Sequence, residues 1–445
     1  MKTLGRTWIW GLALLFLYLF PLTTSLSGDT LASVFSAASW SNGQFGRLDD
    51  FPIRPSPDAE PYYWAVPTQD GGFISGFGMG MPLLIAPFHA LNAMLLGSLS
   101  FDAAVFWGKF VAALCVVVAF ALMKTILSRI TRPGLALLLS LAYALGTGAY
   151  GVASQEPWQH AANQWLYLGV VYLLLFRVEE NRALWLAGVL AGFAVLVRPT
   201  NLLILVPLLL WFTPKDRRML GLFLPLAFFA AVQAGYNFVQ LGSPFSFGQD
   251  LVAGASVQAK GVASPWNWNP LPGFLGLLIS PARGLFVFSP FLLLLLGLRS
   301  RDFRNDSKTA QERPPLFAAA LFVSLTLLVL GSFRWEWWAG LCWGARYLAD
   351  AAPFLVLLLV PVFERLKSRA AWSLAIFLIV ISVFIQSEGA MTDLYGPKSW
   401  NSMRLDKTLQ DRDSLWRLTP PPPIWHHLSD FQWDQGLTFT RTDGK

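Results

Sequence analysis

The chain has 445 residues, 55% of them hydrophobic and only 13% charged, with a formal net charge of +7. Soluble domains carry about 25% charged residues, so a water-soluble globular protein is excluded. The mean hydropathy of +0.50 agrees with apolar runs that recur near the roughly 20 residues needed to cross a bilayer. Nucleic-acid binding is not the meaning of the positive charge, because Lys and Arg fall in short clusters between apolar runs, as in cytoplasmic loops.

The start, "MKTLGRTWIWGLALLFLYLF", places Lys2 and Arg6 ahead of an apolar core, as in a signal peptide. No A-x-A site follows, and the run through Leu26 is long enough to span, so a retained first helix is expected. Eleven spans are predicted, over 8–26, 103–125, 134–152, 161–176, 183–197, 200–213, 219–240, 274–298, 315–332, 348–363 and 371–387. The segment 78–98, "GMGMPLLIAPFHALNAMLLGS", would invert every later loop if it crossed. It is therefore read as a re-entrant or interfacial helix with Gly and Pro breaks.

With these spans, 18 of the 33 Lys and Arg fall in the N-terminus and five loops, beside seven acids, which makes those segments cytoplasmic. The opposite face holds the first outer loop (27–102), a Trp-rich loop (334–347) and the tail. The expected fold is an all-α polytopic membrane protein of the cell (inner) membrane. A membrane domain covers 1–390, with interfacial helices in the first outer loop, the N-terminus in the cytoplasm and a short outer-face tail over 391–445. In that tail "TPPPPI" (419–424) predicts a stiff extended spacer. Its tryptophans, Trp400, Trp416, Trp425 and Trp433, suggest that it folds back on the membrane domain.

Candidate functional residues gather on the outer face. Asp29 in "SGDT" is either the N-cap of a helix starting near Leu31 or a reactive carboxylate. The helix that follows it, rich in apolar positions such as Phe35 and Trp40, reads as amphipathic and lying on the bilayer surface. In "GTGAYGVASQEPWQH" (146–160), Glu156 and His160 stand four apart beside Trp158, an arrangement that suits a shared helical face or an ordinary aromatic belt. Arg198 in "LVRPTN" precedes a helix-breaking Pro and can equally snorkel to headgroups. Arg283 in "SPARGLFVFSP" lies in an apolar stretch where a charge needs a partner. The loop "WEWWAGLCWGARYLAD" carries Trp338, Trp343, Arg346 and Tyr347, rings beside polar groups that suit a sugar.

The order "GDT", "GTGAYGVASQEPWQH", "AGFAVLVRPTN", "LGSPFSFG", "LLISPARGLFVFSP" and "WWAGLCWGARYLADAAPFL" resembles bacterial GT-C membrane glycosyltransferases. That group includes protein O-mannosyltransferases and lipid A aminoarabinose transferases, and the likeness covers most of residues 10–390. The resemblance implies a polyprenyl-phosphate sugar as donor and a lipid, glycan or protein acceptor on the outer face. It also implies a catalytic acid in the first outer loop, matched by Asp29, and a second acid after the third span, matched by Glu156. Relatives often place another acid next to the first; here Thr30 follows Asp29. Arg283, Arg346 and His160 are the candidates for the donor phosphate, since fixed cations stabilise a leaving phosphate. Trp158, Arg198, Trp338, Trp343 and Tyr347 are candidates to line the substrate.

Membrane lipids are expected partners and nucleic acid is not. No cofactor is implied. A divalent metal is compatible with the chain, but Cys115 and Cys342 have no metal-ligand spacing and the pair His426–His427 suits a surface feature. The alternatives are a transporter or flippase of a lipid-linked or small polar substrate, or a non-catalytic relative.

Overall fold

The computed structural model describes residues 2–20, 26–54, 60–212, 217–258, 261–303, 313–391, 416 and 438–439. The predominantly helical class holds. The helices are α1 (Lys2–Leu19), α2 (Gly28–Ser41), α3 (Gly80–Leu96), α4 (Phe101–Ile130), α5 (Pro133–Gly146), α6 (Gln159–Phe176), α7 (Asn181–Val197) and α8 (Leu202–Phe212). They continue as α9 (Met219–Leu241), α10 (Gly248–Gln258), α11 (Leu271–Ile279), α12 (Leu285–Phe288), α13 (Arg313–Ser332), α14 (Ala352–Leu357), α15 (Val360–Glu364) and α16 (Arg369–Met391).

Among the described residues, five segments are long and apolar enough to cross a membrane: 101–130, 219–241, 314–332, 346–364 and 369–391. Shorter apolar helices cover 7–19, 80–96, 133–146, 181–197 and 199–212, so the count of eleven spans is not reproduced. The run predicted over 274–298 shows why. It divides into α11, α12 and a 3-10 segment (Pro290–Gly297), broken where Pro281 and Pro290 interrupt the backbone hydrogen-bond ladder. Segment 78–98 departs in the other direction. It forms the single helix α3, which carries Pro87 within it rather than breaking there.

Helices α7 and α9 approach closely because small residues face the contact. A Cβ on Gly188 would come within 2.2 Å of the Leu222 carbonyl oxygen, and one on Gly192 within 2.5 Å of the Phe229 ring. Tyr18 ties α1 to α5 by donating to the Ala144 carbonyl at 2.8 Å.

The segment between α1 and α4 builds a second, smaller core around α2. Ala32, Val34, Phe35 and Ala38 pack against Leu48, Phe51, Ile53, Trp64 and Ala104. A hairpin of β1 (Ala65–Pro67) and β2 (Phe73–Ser75), antiparallel with Val66 opposite Ile74, closes this core. Residues Ala32 to Ser39 of α2 are all buried. The helix is thus packed inside protein and does not rest on a bilayer surface as its periodicity suggested; its small residues let the loop wrap it on every side.

The basic connections converge at one end of the bundle. Arg129 of α4 lies over the rings of Tyr172 and Phe176 at the end of α6. Thr131 donates to Glu364 at 2.8 Å, Arg365 pairs with Asp302, and Arg132 lies over Trp372. Helix α4, about 45 Å long at 1.5 Å per residue, runs from there to the opposite end, where a Cβ on Gly108 would meet Val34 and Pro157. Two pieces of the chain beyond α16 touch the preceding structure. The Trp416 ring lies 6.2 Å from Trp337, and β4 (Thr438–Phe439) pairs antiparallel with β3 (Leu99–Ser100). The Pro-rich stretch 419–424, His426, His427, Trp400, Trp425 and Trp433 lie outside the described residues.

Candidate active site

The N-terminus of α2 is where the site begins. Ser27, not Asp29, is the N-cap: its hydroxyl accepts from the Thr30 N–H at 3.2 Å. Ser27 and Thr30 are themselves held by Glu156, whose Oε2 accepts from the Ser27 N–H at 2.9 Å and the Thr30 hydroxyl at 2.6 Å. This is the logic of a capping box, in which an acid satisfies a free amide at the helix start, supplied here from 129 residues further along the chain. The carboxylate of Glu156 is buried and interacts electrostatically with Lys109 of α4. Asp29, released from capping, keeps both carboxylate oxygens for other partners.

Those partners come from distant loops. Tyr63 donates its phenol O–H to Asp29 Oδ1 at 2.5 Å, and Arg346 places Nη1 3.1 Å from Oδ2. The Asp29 side chain is 22% exposed and that of Arg346 11%. A half-sheltered ion pair of this kind persists only if its geometry is held. Arg346 is held from one side by Trp158, whose ring centroid lies 4.1 Å from the guanidinium carbon, a cation–π contact of about 1–2 kcal/mol when desolvated. Tyr347 is half-buried, its ring centroid 6.0 Å from the same carbon. Burial of the phenol end of Tyr63, and next the charge of Asp29, push that phenol well above its ordinary pKa, so it remains a donor.

Behind Arg346 lies a buried polar network. The 3-10 helix that begins with it (Arg346–Ala351) also carries Asp350, 1% exposed. Asp350 Oδ1 lies 3.0 Å from His160 Nδ1, and Oδ2 accepts from Asn163 at 3.1 Å and faces Arg198 Nη1 at 3.5 Å. Arg198 also faces His160 Nε2 through Nη2 at 3.2 Å and donates to Gln159 through Nε at 2.5 Å. Because arginine only donates, His160 Nε2 is the acceptor and Nδ1 carries the proton given to Asp350. Asn201 extends the network to Asn163 and Tyr167. His160 and Arg198 thus come together, one layer behind the Asp29–Arg346 pair.

Arg283 is fully buried and serves a third purpose. Its Nε, Nη1 and Nη2 donate to the carbonyls of Trp338, Ala282 and Gly340 at 3.1, 2.8 and 3.0 Å. Those bonds fasten the Trp-rich loop where Ala339 and Gly340 adopt positive φ. Trp338 is buried against Trp335 and Trp337, and Trp343 packs with Trp158, Phe288 and Val152. Of the predicted residues, Asp29, Glu156, Trp158, Arg346 and Tyr347 therefore share one site, while Trp343 backs Trp158. Arg283 and Trp338 belong to the loop's interior.

One residue at the site escaped the sequence reading, and a second was seen without a role. Tyr63 carries no local signal beyond the aromatic run "YYW", and it reaches Asp29 only through the fold of the loop. Asp350 closes the Trp-rich motif "WEWWAGLCWGARYLAD", but its partners His160, Asn163 and Arg198 lie far away along the chain, so the motif alone gave it no role. Among the described residues no group of three or more His, Cys, Asp and Glu side chains is arranged to hold a metal ion.

No protein-family model matches the chain, and no curated protein matches it by sequence. Among solved structures it is similar to the oligosaccharyltransferase of Archaeoglobus fulgidus. To the crystal structure of that protein with Zn and sulfate it is 15% identical with a TM-score of 0.56, over 94% of this chain and 57% of that one. To the apo form it is 15% identical with a TM-score of 0.55, over 94% and 60%. The likeness is one of fold: the chain shares the helical architecture of that enzyme, in keeping with the fold expected from the motif order. It does not single out the O-mannosyltransferase and aminoarabinose transferase group. The chain spans less than two thirds of the length of the enzyme it resembles.

Proposed function

We propose that this chain is a membrane glycosyltransferase that moves a sugar from a polyprenyl-phosphate donor to an acceptor hydroxyl on the outer face of the membrane. The observation that carries this reading is the Asp29 carboxylate, bound by Arg346 on one oxygen and by a hydroxyl, that of Tyr63, on the other. It sits at the end of the bundle opposite the basic connections, which supports an outer-face site.

In the reaction the acceptor oxygen attacks the anomeric carbon of the sugar. The new C–O bond forms as the bond to the phosphate oxygen breaks, and the acceptor proton passes to Asp29, a general-base contribution of about 10²–10⁴-fold. Polyprenyl phosphate leaves with the bonding electrons. Arg346 is the group that meets this growing negative charge, because its planar fork suits a phosphate oxygen pair. The same exchange frees the base. When the phosphate takes Arg346, the ion pair that held the Asp29 carboxylate is exchanged for one with the phosphate, and the carboxylate is left to the acceptor.

The other residues act through these two. Trp158 holds Arg346 in place, Glu156 fixes the helix start that carries Asp29, and Asp350 with His160 and Arg198 anchors the 3-10 helix behind Arg346. Tyr347 and the aromatic wall of the loop are the surfaces left for the sugar. Arg283, engaged by three carbonyls, shapes that wall rather than binding the phosphate.

The test is transfer by the full chain in nanodiscs supplied with a panel of polyprenyl-phosphate hexoses and pentoses and cell-envelope extract as acceptor. Wild type is expected to consume one of them, and Arg346→Gln to lower kcat about 10²-fold, the scale for removing one charge-stabilising donor. Donor uptake or flipping without a covalent product would replace this reading with transport.

A further inference from the structure

Tyr63 already makes the hydrogen bond that an acceptor hydroxyl would make. Its phenol O–H lies 2.5 Å from Asp29 Oδ1, while Arg346 occupies the other oxygen. The ring reaches that position because residue 28 is glycine: a Cβ there would stand 2.6 Å from the phenol oxygen and 2.8 Å from Cε1. The residue is 50% exposed, so its ring has room to leave. Its neighbours are anchored differently. Trp64 is 1% exposed in the small core and Tyr62 stacks on it at 5.4 Å. The backbone at Tyr63 is therefore held on both sides, and only its side chain is free to move.

We propose that Tyr63 is a guard on the base: it fills the acceptor-hydroxyl position on Asp29 and keeps water from being activated there until the acceptor displaces it. This rests on the reading of Asp29 as the general base. The danger it answers is chemical. A donor bound with its phosphate on Arg346 leaves Asp29 facing the anomeric carbon, and any water on Oδ1 could attack that carbon. Its proton would pass to Asp29, the bond to the phosphate oxygen would break, and the products would be free sugar and polyprenyl phosphate, a wasted donor. A phenol is a suitable guard. It satisfies the carboxylate as a hydroxyl does, and its backbone, held between Tyr62 and Trp64, returns the ring to the same oxygen once the acceptor has left. Displacing it gives the acceptor a cost that water, with a single oxygen and no further contacts, does not recover.

The experiment measures sugar released from the consumed donor by the full chain in nanodiscs with no acceptor present. Tyr63→Phe keeps the ring and removes the hydroxyl, and it is expected to hydrolyse donor about tenfold faster than wild type, the scale of one hydrogen bond to a charged group. Gly28→Ala, which leaves the chemical groups of Asp29 and Tyr63 unchanged but crowds the ring away from the carboxylate, should raise hydrolysis in the same direction. With acceptor supplied, the KM for acceptor should fall in Tyr63→Phe while kcat stays within about twofold, a split that a merely structural role would not produce. Adding Asp29→Asn to Tyr63→Phe should abolish the excess hydrolysis.

If hydrolysis stays at the wild-type level in both Tyr63→Phe and Gly28→Ala while Asp29→Asn has lost transfer, Tyr63 is no guard and Asp29 remains the base. If Asp29→Asn transfers and hydrolyses like wild type, the base assignment fails and the guard fails with it.

Discussion

Two aspartates of this chain each face an arginine and a hydrogen-bond donor, yet they stand in opposite situations. Asp350 is 1% exposed, and His160, Asn163 and Arg198 occupy its oxygens. Asp29 is 22% exposed, and its two partners arrive on separate loops, one of them a half-exposed tyrosine. A carboxylate enclosed by fixed donors cannot take up a proton without breaking its own support. One whose partners can be exchanged for a phosphate and an acceptor hydroxyl can. On the proposed function, reactivity follows from replaceable partners, and the enclosed aspartate serves by keeping Arg346 where the replaceable one needs it.

The strongest way to break that comparison is to remove the enclosed carboxylate. Asp350→Ala leaves Arg198 and His160 without their shared acceptor, and breaking a buried pair costs about 3–5 kcal/mol. Thermal unfolding in nanodiscs should shift down accordingly, and Arg346 should be lost as a functional group with it. An unchanged unfolding temperature would mean that the network does not anchor the 3-10 helix.

Glu156→Gln should have a smaller effect, about 2 kcal/mol. It removes the charge that strengthens two hydrogen bonds at the start of α2 and one that faces buried Lys109. Activity should drop through misplacement of Asp29, with the larger share of the loss in kcat. A smaller effect still belongs to the rim of the loop. There the Thr68 hydroxyl and then Arg47 hold Asp70 down at about 2. A depressed carboxylate stabilises the fold above its unfolded value near 3.8 and loses that contribution as pH falls toward 2. The loop should therefore loosen between about pH 4 and pH 2, read by hydrogen exchange at β1 and β2. Asp70→Asn should remove that dependence.

Much of this architecture could be read along the chain because its causes are local. Apolar runs make the helices, clustered arginines mark one end, and Asp29 follows the first run at the other. Arg346 stood out because a charge among aromatics needs a reason. The rest depended on contacts between residues far apart in sequence. Nothing near Glu156 says that its carboxylate will reach Ser27, and nothing near Arg283 says that its fork will be taken by carbonyls of the Trp-rich loop. The expectation of a surface helix after Asp29 failed for the same reason. An apolar periodicity predicts a buried face but not whether lipid or the chain's own loop buries it. Likewise the run 274–298 is apolar enough to span, and only its prolines hinted that the backbone would break.

The central claim is that Asp29 is the reactive carboxylate and not a capping residue. Ser27 already caps α2, so Asp29→Asn should leave the helix and the unfolding temperature essentially intact. The decisive measurement is the single-turnover rate of sugar transfer at saturating donor by wild type and Asp29→Asn in the same nanodiscs. A fall of about 10²–10⁴-fold with donor binding retained is the predicted result; transfer at the wild-type rate would contradict the account.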